Sequence, residues 1–575
     1  MAASFFSGGD LMRARSRLLG LLLALFAALP LPASGEPGDV LAGVRRLAAE
    51  GAPQLALSQV ESLQPPPADL GRWADWESLR IELLERLDRS ADLAMRASAL
   101  PEQAPPDLAR RVLLAGAGAA LRVGEPVQAR VLLARLLWRE ELPADGTRHP
   151  RMMVVETYLG EKRPTEAYRA MLRFQQDYQP LTKAEGEQFA TGLVALGAYR
   201  DAATWLAYLD GGSMDRLLVQ LETGLIAPDD AMAKARVALK KAPSADGWRV
   251  LWRAAEKKGD AGVQLEAMER LLNYSPLVSM VSAAALRKKY EAFADEIANR
   301  EQLLRGEDSA WLNLAATLLS SSPPAARSVL AVLAIRGRSP SIREAAMDQW
   351  LKSMERQKLG LAAARYASQL SEVPMASLSP ATRLSLGEFA HAAGEAALAT
   401  DYWRGLPAPE GVLKETWQVR VAAAAVEGGR FDDADHVLGT LVTGDTSLGQ
   451  DTAQALLGLA RSAWAKKQGK PAETWLIAVA LRGSGSPRRE ALLDLGQIAE
   501  QRGDHRLAAV HYLQAAGALE QKAPDLASIH ARWRAARNLA LAGFRKDALN
   551  QFGTVQKYLK DRTSQDILRL DMNRL

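Results

Sequence analysis

The chain has 575 residues, 48% apolar but only 6% aromatic, with 72 basic side chains against 67 acidic ones and no cysteine. That length exceeds one globular core, so several domains or one extended array are expected. The near-even charge and the lack of any Lys/Arg run argue against a nucleic-acid surface. The missing cysteines exclude disulfides, thiolate metal sites, a cysteine nucleophile and a lipoprotein acylation site.

Residues 1–35 read as a secretory signal. Arg13, Arg15 and Arg17 form its charged region, Leu18 to Leu29 its apolar run, and Ala33-Ser34-Gly35 its small-residue cleavage site. Cleavage is expected near Gly35, leaving 69 basic and 66 acidic residues in a periplasmic chain. No later stretch is long and apolar enough for a transmembrane helix.

Ala and Leu dominate from Gly38 onward and β-branched residues are sparse, which predicts helix throughout. A glycine followed five residues later by alanine recurs at Gly51/Ala56, Gly124/Ala129, Gly197/Ala202, Gly394/Ala399, Gly429/Ala434, Gly503/Ala508 and Gly543/Ala548. Lys162 before Ala167 is a weaker copy, and Ala91 is a further candidate. In the less regular middle, Ala231, Gln264 and Ala362 each stand twelve residues before a proline (Pro243, Pro276, Pro374), while Ala298 and Ala326 fit by spacing alone.

Proline cannot continue a helix, so Pro65-Pro66-Pro67, Pro105-Pro106 and Ser320 to Pro324 are predicted joints. The last marks a bend dividing 36–322 from 323–562. Asp107, Thr182, Ser379 and Asp525 are expected N-caps. An amphipathic segment over 563–575 is expected to cap the open end of the array.

The clearest unit runs from Leu495 to Ala515. Leu495-Gly496 lies on one helix, Gly503-Asp504 turns the chain, and Ala508, Tyr512 and Ala515 follow on a second helix. These residues resemble the tetratricopeptide repeat (TPR), a helix-turn-helix unit of about 34 residues. The resemblance covers most of 40–560 and implies an all-α, right-handed superhelical solenoid of antiparallel helix pairs. It also implies that a protein or peptide binds along the concave groove lined by first helices.

On that register Trp533, Arg537 and Leu541 fall on a first helix. Gln497, Glu500 and Gln501 take similar places one repeat earlier, and Lys466 and Lys467 one before that. Trp533, Arg537, Gln497 and Glu500 are therefore the predicted partner-binding residues. The family's carboxylate clamp of recurring Lys and Asn is not matched. Trp205, Trp403 and Trp475 follow their turns on second helices, where core residues belong.

No catalytic, cofactor-binding or metal-binding residue is assigned. The chain lacks a phosphate loop, a His-Glu-x-x-His pair and a nucleophile elbow. None of its six histidines lies three or four residues from another. Gly116 to Ala120 half-resembles a dinucleotide loop but sits in a helical run. Asp229-Asp230 and Asp432-Asp433 suit helix starts, where carboxylates complement the helix dipole. Arg502-Gly503-Asp504 is the repeat turn.

The resulting expectation is a non-enzymatic periplasmic scaffold of an envelope assembly for motility, secretion or polysaccharide export. It would need no cofactor and no nucleic acid. The alternative is a cell-wall enzyme of the lytic-transglycosylase superhelical type. It is disfavoured because the repeats run almost to residue 575 and leave no space for a lysozyme-like domain.

Overall fold

The computed structural model describes residues 37–573 apart from 140, 141, 143, 275–280, 371, 372, 374, 520–523, 560 and 561. The expected signal, Pro276 and Pro374 lie outside the described residues. Among those described there are 31 α-helices, a few 3₁₀ turns and no strand. The contacts divide the chain into two compact units, Met1–Ala227 and Pro228–Leu575.

The first unit runs α1 (Pro37–Ala49), α2 (Pro53–Leu63), α3 (Leu70–Arg86), α4 (Ser90–Ser98), α5 (Pro106–Arg122), α6 (Pro126–Arg139), α7 (Arg148–Gly160), α8 (Pro164–Asp177), α9 (Lys183–Ala195), the short α10 (Tyr199–Ala202) and α11 (Met214–Glu222). Helices consecutive in sequence lie antiparallel, and alternate helices also touch, α3 with α5 and α5 with α7. That is solenoid stacking, in which each pair buries its apolar face only against its neighbours.

The turn between paired helices explains the glycine mark. Gly51, Gly124, Gly197, Gly394, Gly429, Gly503 and Gly543 all have φ between 74° and 94°. This left-handed conformation suits a residue without Cβ. At Gly503 the amide of Asp504 donates to the Ala499 carbonyl (2.9 Å) and that of Gly503 to Glu500 (3.0 Å), the Schellman pattern that ends a helix. The Asp504 side chain then accepts from the Leu507 amide at 3.0 Å and starts the next helix. The alanine five residues after each of these glycines is fully buried.

Lys162 adopts the same backbone (φ 57°) with Ala167 buried, and Asp88, Lys358 and Lys467 do so as well. The turn near Ala91 is therefore centred on Asp88, and the buried position belongs to Leu93 while Ala91 is exposed. Thr182, Ser379 and Asp525 are N-caps. Asp107 is not: Pro106 opens α5, and Asp107 lies inside its first turn.

The second unit begins with α12 (Pro228–Lys241), α13 (Ala245–Lys258), α14 (Ala261–Leu272), α15 (Ala283–Ile297), α16 (Arg300–Arg305), α17 (Asp308–Ser321), α18 (Pro323–Arg336), α19 (Pro340–Arg356) and α20 (Gly360–Ser368). The Ser320–Pro324 joint, expected to bend the molecule, links α17 to α18 inside this unit, and those two helices pack along each other.

Residues Ala325 to Ala334 of α18 are all buried. A helix apolar around its whole circumference must be enclosed, and α14, α15, α17 and α19 enclose it. The single cation on that buried stretch, Arg327, donates through Nε to Glu269 Oε1 (2.7 Å), and Tyr290 donates to the same oxygen (2.6 Å). Elsewhere the Arg270 side chain reaches the Gln357 carbonyl (2.8 Å), and the Ala362 amide donates to Asn273 (3.1 Å). These bonds join α14 to the α19–α20 turn and to α20 across roughly ninety residues, so in this region contacts also reach beyond neighbouring pairs.

Regular pairs resume with α21 (Pro380–Ala392) and α22 (Ala396–Trp403), α23 (Lys414–Glu427) and α24 (Phe431–Thr443), α25 (Gln450–Ala465) and α26 (Gly469–Arg482), α27 (Gly485–Gln501) and α28 (His505–Ala516), and α29 (Leu526–Leu541) and α30 (Arg545–Gln556). A final α31 (Arg562–Asn573) follows. The close approach expected at Gly496 is present: a Cβ there would stand 2.7 Å from the Tyr512 ring. Gly387 and Trp403 repeat the device at 2.2 Å. Trp205, Trp403 and Trp475 are buried.

Candidate partner-binding site

The predicted residues lie on α27 and α29, both first helices of their pairs. Counting back six positions from each left-handed turn residue reaches Arg461, Gln497 and Arg537 on α25, α27 and α29. These three therefore occupy one structural place and form a row, and all three are exposed.

Ionic links tie successive first helices together. Glu388 of α21 pairs with Arg420 of α23. Arg461 of α25 donates to Asp494 (2.6 Å) and Glu490 (3.0 Å) of α27. Arg534 of α29 donates to Glu500 of α27 at 2.7 Å.

Glu500 is the most heavily engaged of the predicted set. Besides Arg534 it accepts from the Tyr512 hydroxyl (2.8 Å) and the Asn538 amide (3.2 Å). Burial pushes its carboxyl upward, but these three donors outweigh that and hold it below the usual carboxylate range. Burial, with the bond to Glu500, pushes the Tyr512 hydroxyl well above its ordinary value. The Arg534 guanidinium also sits 4.6 Å above the Tyr512 ring. Glu500 is thus a linchpin between repeats.

Trp533 points to the end of the array. Its indole nitrogen donates to Asp571 of α31 at 2.9 Å, and its ring packs with Ile529, Phe552 and Leu568. Arg537 approaches the same carboxylate at 3.7 Å with its side chain 61% exposed. Trp533 and Arg537 therefore meet at Asp571, Glu500 faces Arg534 and Asn538, and Gln497 faces α25. The four share a row of helices without converging on one point.

Gln497 opens onto a cleft of about 190 Å³ between α25 and α27. Leu476, Ala460 and Ile498 supply its apolar floor, and Arg461, Trp464 and Asp494 its walls. Trp464 is not among the predicted residues because the turn after it uses Lys467 (φ 62°) where most repeats use glycine. Lys466 and Lys467 are accordingly turn residues and not groove residues. The Lys466 ammonium caps the Val426 carbonyl of the preceding repeat at 2.7 Å.

No protein-family model matches the chain, and neither does any curated protein. Solved structures similar to it include Naa15/Naa10 bound to HypK-THB (12% identity over 94% of this chain and 99% of that one, TM-score 0.22). Others are the APC/C hetero-tetramer Cut9-Hcn1 (15%, 83% and 92%, TM-score 0.20) and yeast Tom70 (10%, 88% and 96%, TM-score 0.21). Superpositions this loose carry no argument, and the fold stands on the helices themselves.

Proposed function

We propose that this chain is a non-enzymatic scaffold that binds a protein or peptide along its C-terminal row of first helices. It works in the periplasm as part of an envelope assembly for motility, secretion or polysaccharide export. The observation that carries the binding reading is the α25–α27 cleft: an apolar floor beside a half-buried tryptophan, rimmed by an arginine, an aspartate and an amide. Aromatic and arginine anchors around a desolvated centre are the usual composition of a protein-binding hot spot. The leader-like residues 1–35 motivate the location.

The test compares envelope partners captured by the wild-type chain with those captured by a Trp464→Ala/Gln497→Ala variant. A Gly458→Ala variant on the same helix, where a Cβ meets no atom within 4 Å, is the control. Loss of a specific partner from the double variant alone supports the groove. Equal capture by all three proteins removes it.

A further inference from the structure

A larger cleft, about 560 Å³ in volume, lies elsewhere, between the second helices α6 and α8 with α7 beneath. Leu137, Val154 and Phe174 are among the apolar residues of its floor. Trp138 stands on one rim with 83% of its surface exposed, beside a groove it does not fill. Arg169 and Arg173 stand on the other rim, one turn apart on α8 and both exposed. Arg151 lines the cleft between them, and its nearest carboxylate, Asp177, is 3.9 Å away. Arg130 lies over the Tyr158 ring at 4.7 Å and is paired with Glu161. Among the described residues Glu166 is the only acidic one in the lining, and it is engaged by Arg163 at 2.6 Å.

We propose that this cleft is a second docking site, for an extended acidic peptide segment of a partner protein. It is independent of the first-helix groove. Of the four arginines in the lining Arg130 is taken by Glu161 and Arg151 is near Asp177, while Arg169 and Arg173 stand exposed on the rim, so the complementary ligand is anionic. Residues four apart on a helix are separated by about 6 Å along its axis. Alternate residues of an extended strand are about 6.6 Å apart. Arg169 and Arg173 therefore match carboxylates at every second position of a strand, with Arg forming bidentate pairs. The apolar floor and Trp138 accept the hydrophobic residue of such a segment. A continuous polyphosphate would leave that floor unused.

The probe is a fluorescein-labelled octapeptide alternating glutamate with leucine and phenylalanine, titrated into the full chain and followed by anisotropy. Saturable binding is expected, weakened by added salt and absent for the lysine counterpart. Arg169→Glu/Arg173→Glu should lower affinity about tenfold or more, and Trp138→Ala should lower it as well. These side chains are exposed, so helicity by circular dichroism should be unchanged. Trp464→Ala should leave this binding intact, which separates failure of this site from failure of the first-helix groove. No binding to the wild type, equal binding to the charge-reversed variant, or displacement by an oligo-dT strand at lower concentration than by unlabelled peptide would each overturn the proposal.

Discussion

Gly496 and Gly458 are both interior residues of first helices, yet their surroundings differ. A methyl group on Gly496 collides with Tyr512, whereas one on Gly458 meets open space. Gly496→Ala should therefore destabilise the chain by about 1–3 kcal/mol through overpacking. Gly458→Ala should be neutral or should gain up to about 1 kcal/mol from helix propensity. Urea midpoints for the two variants check this, and equal shifts would mean that the Tyr512 ring simply moves aside. Glu185 makes a second residue-scale case. It accepts from Arg148 at 2.7 and 2.6 Å and closes a capping box with Thr182. The bond to Arg148 is the main reason its carboxyl falls from 4.5 to about 2, against the opposing effect of burial. The unfolded carboxyl takes up a proton near pH 4.5 while the folded one resists until about pH 2. The stabilisation is thus complete above pH 4.5 and is lost as pH falls from there toward 2. The stability gap between wild type and Glu185→Gln should shrink between pH 7 and pH 3. A gap independent of pH would show that the carboxylate charge contributes nothing.

At the scale of elements, the most consequential helix is α18, whose enclosed surface carries the Arg327–Glu269 pair. Burial disfavours the Arg327 charge, but Glu269 restores it. Removing one partner of a buried pair leaves the other uncompensated, so Arg327→Met should cost about 3–5 kcal/mol. Glu269→Met/Arg327→Met should recover part of that loss, with the Tyr290 hydroxyl still lacking its acceptor. A double variant less stable than either single one would refute the pairing argument. The terminal helix α31 makes another prediction, because Trp533 holds it through Asp571. Trp533→Ala should raise hydrogen exchange over 562–573 and leave exchange over α25 unchanged. The regular repeats were readable because a left-handed turn and a buried small residue five places on are local requirements with local signatures. Where lysine or aspartate takes the turn, as at Lys467 and Asp88, that signature disappears, which is why Trp464 was missed and Ala91 was misplaced. Over α14–α20 the expected positions Gln264, Ala298, Ala326 and Ala362 are buried, but the long-range contacts have no mark in the sequence, since they join residues about ninety apart, as at Asn273 and Ala362. Trp533 was placed on the correct helix, but its partner on α31 depends on how the end of the array folds back.

Across the whole molecule, the division between Ala227 and Pro228 follows a short non-helical stretch in which Leu225 is 66% exposed. Exposed irregular segments between compact units are preferred sites of cleavage. Brief chymotrypsin treatment should therefore cut first after Leu225 and release two fragments that keep their helicity. First cleavage within 319–324 would instead favour the proline joint as the divide. The remaining whole-molecule expectation concerns where the chain resides. Leu18 to Leu29 would span only about 18 Å as a helix, short of the roughly 30 Å hydrocarbon core. With three arginines before the run and small residues after it, that length suits a cleaved export signal better than a permanent anchor. Edman sequencing of the chain recovered from the periplasmic fraction should begin close to Glu36. Alkaline phosphatase fused after residue 60 should be active, since that enzyme folds only once exported. A membrane-bound product that begins at Met1 or Met12 would show that the segment is retained. An inactive fusion would remove the envelope location altogether and leave the groove to be tested against cytosolic partners.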